Sequence, residues 1–292
     1  MNTDLQAIGW VAAALVTAMV VALITTPVVR ALAFRVGAVD VPKDSRRMHD
    51  HPIPRMGGLA IFFGFILSAI IYVEITPQFQ GMMLGAVIIV VLGIFDDIYA
   101  LGAKFKLLVQ IAAALVAVHF GNVIQIISNP NVLSPNPYWD LGWLAVPATV
   151  LWIVAITNAV NLIDGLDGLA CGVSTISSMT MLVISLAVAD GPVAVIMAAL
   201  AGGCIGFLPY NLNPAKIFMG DTGSTFLGFV LAVMSIQGLF KFYTIISFAV
   251  PFLMLGLPIF DTCFAFIRRI AHGQSPMHPD RSHCLLYTSR CV

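Results

Sequence analysis

The chain has 292 residues, of which 60% are hydrophobic and only 10% are charged. Because about 25% of the residues in a typical soluble domain are charged, this composition and a mean hydropathy of +0.98 exclude an ordinary soluble protein. The formal net charge is zero, and no nucleic-acid partner is expected. We therefore expect an integral membrane protein whose main surroundings are the lipid bilayer.

Apolar runs of spanning length, or close to it, recur nine times along the chain. They cover residues 8–29, 57–73, 81–94, 107–120, 143–160, 169–189, 193–208, 226–240 and 243–267. The third, fourth and eighth runs are short and are expected to extend into their flanks. The pattern predicts an all-α fold, a polytopic transmembrane helical bundle of about nine spans that forms one membrane domain over residues 1–292.

The basic residues are distributed unevenly between the two sides of this bundle. If the spans alternate in direction, thirteen of the fourteen Lys and Arg residues fall on one side, and only Lys241 falls on the other. The positive-inside rule makes the basic side cytoplasmic and places the N-terminus outside. Five segments carry chemistry on the predicted cytoplasmic side: residues 30–56, 95–106, 161–168, 209–224 and 268–283.

The first cytoplasmic segment contains the sequence HPIPRMGG. Its prolines fix the backbone, and a rigid loop that carries His49 and Arg55 suits the capture of an anion. A solvated basic loop is an equally good interpretation. The outer segment 121–142 contains turn-forming residues around a short apolar run, which is consistent with a small hairpin.

The third span ends in the pair Asp96 and Asp97. A helix macrodipole disfavours anions at the C-terminus, so two adjacent carboxylates there gain from a nearby cation, although a solvated helix end would also explain them. Lys106 begins the next span, where its ammonium group can reach a phosphate.

The segment NAVNLIDGLDGLA begins at Asn158, where a long apolar run ends. Asn158, Asn161, Asp164 and Asp167 recur every third residue, so they share one broad face as long as the backbone stays helical. Two glycines in the motif loosen the helix and allow backbone to approach a ligand. Two carboxylates and two amides at the mouth of an apolar segment are costly, which favours a functional site.

The segment from Asn211 to the eighth span contains the sequence AKIFMGDTGS. Asp221 can act as an N-cap for that span, or it can belong to a metal or phosphate site at the helix N-terminus. Phe218 suits core packing and base stacking equally. Aspartates clustered with Lys and Arg at one membrane face suit Mg²⁺ and phosphate, because Mg²⁺ prefers carboxylate and phosphate oxygens.

The C-terminal segment contains His278, Arg281 and His283. Together they are consistent with an anion-binding cluster or with a solvated tail.

Taken together, five motifs resemble the polyprenyl-phosphate N-acetylhexosamine-1-phosphate transferases, of the glycosyltransferase family 4 type. The motifs are HPIPRMGG, IFDDIYAL with KFKLLVQ, NAVNLIDGLDGLA, AKIFMGDTGS and RRIAHGQSPMHPDRSH. The resemblance covers nearly the whole chain from Asp40 to His283, and the aspartate motifs are highly specific in combination. HPIPRMGG is similar to the branch that uses UDP-GlcNAc to start O-antigen, common antigen or teichoic acid linkage units.

The resemblance implies a reaction, a cofactor and a location. Such an enzyme transfers the sugar 1-phosphate of a UDP-N-acetylhexosamine, typically UDP-GlcNAc, to undecaprenyl phosphate and releases UMP. It requires Mg²⁺, with Mn²⁺ as an alternative. It works in the bacterial cytoplasmic membrane with its active site on the cytoplasmic face, and a homodimer is left open.

The resemblance also implies a role for each motif residue. Asp221 is the main Mg²⁺ ligand, assisted by Asp97. The other implied roles are contact with the reacting phosphates (Asp96, Asp97), with the lipid phosphate (Lys106), with the nucleoside and the reaction (Asn158, Asn161, Asp164, Asp167), with uridine (Asn211, Phe218) and with anions (His49, Arg55, His278, Arg281, His283).

Several alternatives remain open from the sequence. The family continues beyond His283 with further histidines and spans, so this C-terminus is expected to be truncated relative to the family. UDP-MurNAc-pentapeptide is an alternative donor, and direct attack is favoured over a phospho-aspartate intermediate. A cation- or proton-coupled transporter would instead place carboxylates near mid-span, and a prenyltransferase would carry paired DxxxD motifs.

Overall fold

The computed structural model describes residues 2–41, 52–128, 138–188, 190–238, 256, 260, 264 and 267–270. These residues form a bundle of eight helices. The helices are α1 (Asn2–Val36), α2 (Gly58–Tyr72), α3 (Pro77–Tyr99), α4 (Ala103–His119), α5 (Ala145–Ile163), α6 (Leu169–Ala187), α7 (Gly191–Asn211) and α8 (Gly220–Gly238).

The helices follow the first eight predicted spans in order. Among the described helices, five are long and apolar enough to cross a membrane, so the chain is a multi-pass membrane protein. The third and fourth spans extend into their flanks as predicted. The first predicted loop is shorter than expected, because α1 continues to Val36. The ninth predicted span lies mostly outside the described residues, and the count of nine and the orientation stay predictions.

Two short antiparallel hairpins connect helices at opposite ends of the bundle. Strand β1 (Val39–Asp40) pairs with β2 (Ile53–Pro54) between α1 and α2. Strand β3 (Ile126–Ser128) pairs with β4 (Tyr138–Asp140) between α4 and α5, and a 3₁₀ turn at Gly142–Leu144 follows. The second hairpin confirms the one predicted in segment 121–142.

Proline and threonine explain how two of the helices are built. Thr76 caps α3 by accepting a hydrogen bond from the Phe79 N–H at 3.2 Å, and Pro77 occupies the first turn, where no donor is needed. Pro27 lies inside α1 and cannot donate to the Leu23 carbonyl, four residues earlier. The Tyr210 hydroxyl of α7 donates to that carbonyl at 3.3 Å, which ties α1 to α7.

Helix α8 lies at the centre of the bundle, where nearly every side chain from residue 222 to residue 236 is buried. Close approach to its N-terminus depends on glycines. A Cβ added at Gly58 of α2 would lie 1.9 Å from the Gly223 Cα, and one added at Gly93 of α3 would lie 2.4 Å from the Thr222 Cα. Any larger residue at these positions would therefore push neighbouring backbone away from α8.

We predict that Gly93→Ala destabilises the protein by about 1–3 kcal/mol, because the added methyl group meets backbone atoms that cannot rotate away. Gly172→Ala in α6 is the matched control, since a Cβ there has no neighbour within 4 Å. Thermal unfolding of the detergent-purified variants measures the difference. A Gly93→Ala midpoint as high as that of Gly172→Ala would contradict this account of the packing.

Candidate active site

Lys106 holds together two carboxylates from different helices. Its Nζ donates to Asp96 Oδ2 at 2.8 Å and to Asp221 Oδ2 at 2.9 Å. The Leu101 N–H donates to the other oxygen of Asp96 at 2.7 Å, and Asn161 Nδ2 donates to Asp221 Oδ1 at 3.1 Å. The ends of α3, α4, α5 and α8 therefore meet at one polar cluster, named here the Lys106 cluster: Asp96, Lys106, Asn161 and Asp221.

Asp97 lies beside this cluster but is oriented toward the backbone of α8. Its Oδ1 accepts the Asp221 N–H at 3.0 Å, and its Oδ2 accepts the Thr222 N–H at 3.1 Å and the Thr222 hydroxyl at 2.6 Å. A carboxylate at a helix N-terminus satisfies free N–H groups and complements the macrodipole. The N-cap interpretation of Asp221 was therefore wrong: Asp221 is inside the first turn of α8, and Asp97 from α3 accepts its N–H.

Three of the four polar residues of NAVNLIDGLDGLA form hydrogen bonds with different partners: Asn158, Asn161 and Asp167. Helix α5 ends at Ile163, so Asp164 and Asp167 lie in the turn before α6. Asp167 Oδ2 accepts hydrogen bonds from Asn213 Nδ2 at 3.2 Å and from the Ala215 N–H at 3.0 Å, which tethers the loop before α8. The predicted shared face required a helical backbone, and because the helix ends at Ile163 the face includes only Asn158 and Asn161.

Asn158 joins α5 to α4. Its Nδ2 donates to Gln110 Oε1 at 2.6 Å and to the Val154 carbonyl at 2.8 Å. Gln110 is buried and lies one helical turn beyond Lys106, while Asn158 lies one turn before Asn161. The pair therefore aligns the two helices that supply partners to Asp221, and the predicted contact of Asn158 with substrate stays a prediction.

The HPIPRMGG and AKIFMGDTGS motifs lie against each other. The Gly57 N–H donates to the Phe218 carbonyl and the Phe218 N–H donates to the Pro54 carbonyl, both at 2.9 Å. Arg55 Nη2 pairs with Asp40 Oδ1 at 2.8 Å. Asn211 is buried; its Nδ2 donates to the Ile217 carbonyl at 3.1 Å, while its Oδ1 has no partner among the described residues.

Four predicted site residues cannot be placed in this arrangement. His49, His278, Arg281 and His283 lie outside the described residues.

The electrostatics of the site distinguish two of its carboxylates. Burial raises the pKa of Asp164 to about 8, and the negative charges of Asp221 and Asp97 add to the rise while Arg55 opposes it. Burial also acts to raise the pKa of Asp221, but the charge of Lys106 and the hydrogen bonds from Lys106 and Asn161 outweigh it and lower that pKa to about 2. Near neutral pH, Asp221 is thus ionised and Asp164 is mostly protonated.

The oxygens of this site fit Mg²⁺ by their chemistry. Carboxylates such as Asp221 and Asp96, with the amide oxygen of Asn161, are hard ligands of the kind that Mg²⁺ prefers. Among the described residues, no three acidic, His or Cys side chains form a complete metal-binding group. Mg²⁺ is usually held by one or two carboxylates together with substrate phosphates, so a site with few protein ligands is compatible with it.

A cavity of about 360 Å³ lies at the other end of the bundle, far from these carboxylates. Polar residues that line it include Gln78, Asn122, Gln125, Asp190 and Gln237. They lie at the ends of helices that are remote from the Lys106 cluster.

The position of the carboxylates does not match that expected of a transporter. A transporter would place carboxylates near mid-span, whereas the carboxylates of the Lys106 cluster lie at helix ends.

The sequence from residue 79 to residue 239 matches the model of glycosyl transferase family 4. The chain belongs to glycosyl transferase family 4. The match includes α3, α4, α5 and α8, the helices that build the Lys106 cluster.

Curated relatives of this family 4 chain carry related names. It is 47% identical over 275 residues to the probable undecaprenyl-phosphate N-acetylglucosaminyl 1-phosphate transferase of Bacillus subtilis, covering 92% of this chain and 75% of that protein. It is 33% identical over 301 residues to the decaprenyl-phosphate N-acetylglucosaminephosphotransferase of Mycolicibacterium smegmatis, covering 91% and 72%. It is 39% identical over 194 residues to the phospho-N-acetylmuramoyl-pentapeptide-transferase of Caldicellulosiruptor bescii, covering 62% and 60%.

Sequence reasoning missed three residues of this family 4 site. Gln110 pairs with Asn158, Thr222 binds Asp97, and Ser224 accepts a hydrogen bond from Asn161 at 2.8 Å. A helical spacing of four from Lys106 could have suggested Gln110. The sequence carries no comparable signal for the contact between Thr222 and Asp97, which are 125 residues apart.

We predict that the metal-free stability of this family 4 chain falls as pH rises toward 9. The folded pKa of Asp164, about 8, lies above its ordinary value of 3.8, so the native state binds this proton more tightly than the unfolded state. The resulting stabilisation is complete below about pH 4 and is lost as pH rises through about 8.

Thermal unfolding in EDTA at pH 6 and pH 9 tests this expectation. The unfolding midpoint of Asp164→Asn should decrease less between pH 6 and pH 9 than that of the wild type. Asp140→Asn removes an exposed carboxylate at the second hairpin, and its midpoint should decrease as much as that of the wild type. Equal losses in Asp164→Asn and the wild type would contradict the assignment.

Proposed function

We propose that this chain transfers N-acetylglucosamine 1-phosphate from UDP-GlcNAc to undecaprenyl phosphate and releases UMP. This reaction would be the first membrane step in building a cell-envelope polysaccharide, at the cytoplasmic face of the bacterial inner membrane. The names of the Bacillus subtilis and Mycolicibacterium smegmatis relatives support a polyprenyl-phosphate acceptor and an N-acetylglucosaminyl phosphate donor.

The observation that carries the proposal is the Lys106 ammonium held between Asp96 and Asp221. It places a cation and two carboxylates at helix ends, next to an apolar bundle. A reaction between a water-soluble sugar nucleotide and a lipid phosphate needs a charged site at such a boundary. Side-chain exposures of 27% for Lys106 and 28% for Asp221 leave both groups accessible to a substrate.

The main task of the proposed site is to neutralise the negative charges of the two substrates. The acceptor is a phosphate monoester with a second pKa near 6, so at neutral pH it is largely dianionic and needs no strong base. The main barrier is repulsion between this anion and the diphosphate of the donor. Lys106 is proposed to contact the lipid phosphate, and Arg55 is proposed to add positive charge on the side of the first hairpin.

Mg²⁺ fits the same proposal, with Asp221 as its principal protein ligand. When bound, the ion would supply charge neutralisation and orientation at the diphosphate. Asp221 is suited to this role because it is ionised at neutral pH, and Asn161 holds one of its oxygens in place. Mn²⁺ is the expected substitute.

We favour direct in-line attack by the lipid phosphate oxygen on the sugar-linked phosphorus. The new phosphorus–oxygen bond forms as the bond to the bridging oxygen breaks, and UMP leaves with that oxygen. Asp96 is proposed to accept a residual acceptor proton. Asp97 is poorly placed to act as a nucleophile in a two-step route, because both of its oxygens accept hydrogen bonds from α8.

UDP-MurNAc-pentapeptide is the second candidate donor, and it is less favoured. The Caldicellulosiruptor bescii relative, named a phospho-N-acetylmuramoyl-pentapeptide-transferase, is 39% identical over 62% of this chain, whereas the Bacillus subtilis relative is 47% identical over 92% of it.

The proposed function is tested by incubating purified protein with UDP-GlcNAc labelled in its sugar, undecaprenyl phosphate and Mg²⁺. Lipid-linked label with release of UMP is the expected result, and UDP-MurNAc-pentapeptide and UDP-GalNAc serve as competing donors.

Asp221→Asn should lower turnover about a thousandfold or more, because loss of metal stabilisation worth several kcal/mol corresponds to that factor. Near-wild-type turnover in a folded Asp221→Asn variant would contradict its role as ligand.

Lys106→Gln should lower turnover at least about a hundredfold, because it removes the cation proposed to meet the lipid phosphate. Lys104→Gln is the matched control, since Lys104 lies two residues earlier in α4 and is exposed. Initial rates across a range of undecaprenyl phosphate concentrations measure both variants. Equal rates for the two variants would remove Lys106 from the mechanism.

A further inference from the structure

We propose that Asp97 is a positioning residue that sets the place of Asp221 by holding the N-terminus of α8, and that it does not bind the metal itself. The inference rests on the proposed role of Asp221 as a metal ligand. Two neighbouring aspartates of α3 then have different roles. Asp96 faces the Lys106 ammonium, and Asp97 faces the backbone of α8.

Hydrogen bonding is the first argument for this division. The three donors that reach Asp97 are the N–H groups of Asp221 and Thr222 and the hydroxyl of Thr222, at 2.6–3.1 Å. One of them belongs to the backbone of the proposed ligand, so Asp97 fixes the position of Asp221 directly. Charge-assisted bonds of a carboxylate to N–H groups are stronger than neutral ones, and Asp97 is only 8% exposed.

Close packing supplies a second argument, independent of the hydrogen bonds. Gly220 precedes Asp221 with a positive φ of 73°, and a Cβ added there would lie 2.5 Å from Asp97 Oδ2. Gly93, one turn before Asp97 on α3, packs against the backbone of Thr222 so closely that a Cβ would not fit there either. The Asp97 carboxylate thus occupies the space that Gly220 leaves open, and Gly93 lets the backbone of α3 approach the first turn of α8.

A metal-ligand role would require other geometry. A carboxylate that binds Mg²⁺ directs an oxygen to the ion, which it shares with the substrate phosphates. Asp96 and Asp221 each have an oxygen directed at the Lys106 ammonium, whereas both oxygens of Asp97 are directed at the α8 backbone. Residues that orient a ligand typically change metal affinity by 10–100-fold when they are replaced.

The experiment compares Asp97→Asn and Thr222→Val in the full chain purified in detergent. Thr222→Val removes only the hydroxyl that binds Asp97. Thr157→Val is the matched control, because Thr157 is equally buried and its hydroxyl donates to the Ile153 carbonyl of its own helix. Two quantities are measured: the unfolding midpoint in EDTA without substrate, and the affinity for Mn²⁺ by electron paramagnetic resonance with UDP-GlcNAc present and no lipid acceptor, because the donor's phosphates complete the proposed site.

A positioning residue predicts that both quantities fall in both variants. The midpoint in EDTA should drop by several degrees, and Mn²⁺ affinity should drop about tenfold or more, while Thr157→Val keeps the affinity of the wild type. If Asp97→Asn fails to fold, Thr222→Val decides the question alone.

Two results would overturn the inference in different ways. Lower Mn²⁺ affinity in Asp97→Asn with a wild-type midpoint in EDTA would make Asp97 a ligand. Lower midpoints in both variants with unchanged Mn²⁺ affinity would make Asp97 a purely structural cap. A wild-type protein that binds no Mn²⁺ would remove the proposed metal site, and this inference with it, and is recognised before any variant is compared.

Discussion

Bringing several carboxylates out of water at one end of an apolar bundle is the constraint on which the rest of this structure depends. An isolated ionised carboxylate is costly to bury, so each one needs a partner that compensates for lost hydration. Asp96 and Asp221 both pair with the Lys106 ammonium. Asp97 accepts hydrogen bonds from the N-terminus of α8, and Asp167 accepts them from the loop that precedes α8. The partners come from distant parts of the chain, and satisfying them requires the fold.

Helix α8 combines this compensation with packing. Its side chains are buried against the surrounding helices, and its N-terminus carries Asp221. Glycines on α2 and α3 let their backbones approach the first turn of α8 closely enough that a methyl group would not fit. The position of Asp221 is therefore determined by backbone contacts on several sides, which suits a site that must hold charged groups in a fixed geometry.

The sequence alone predicted the overall architecture well, because apolar length is a strong signal. The first eight runs correspond to eight helices, and the weak third and fourth runs were correctly expected to extend. The family was also predictable, since several aspartate motifs occur in a fixed order. Helix ends were predicted less well, because a run of residues such as 158–167 keeps its period of three whether or not the backbone stays helical.

Which polar residues meet could be predicted only in part. Asp96, Lys106, Asn161 and Asp221 were all selected from the sequence, and they form one cluster. The direction in which each of the others points depends on contacts between distant segments. Asp97 differs from Asp96 only in its angle around α3, and this angle directs one carboxylate to a lysine and the other to a helix terminus.

The bridging position of Lys106 has a consequence for the site when neither metal nor substrate is bound. Because the ammonium already lies between Asp96 and Asp221, the site contains its own counter-ion. Stripping divalent ions from the surroundings therefore does not leave these two carboxylates facing each other unscreened. If Lys106 contacts the lipid phosphate as proposed, that phosphate would compete with Asp96 and Asp221 for the ammonium group.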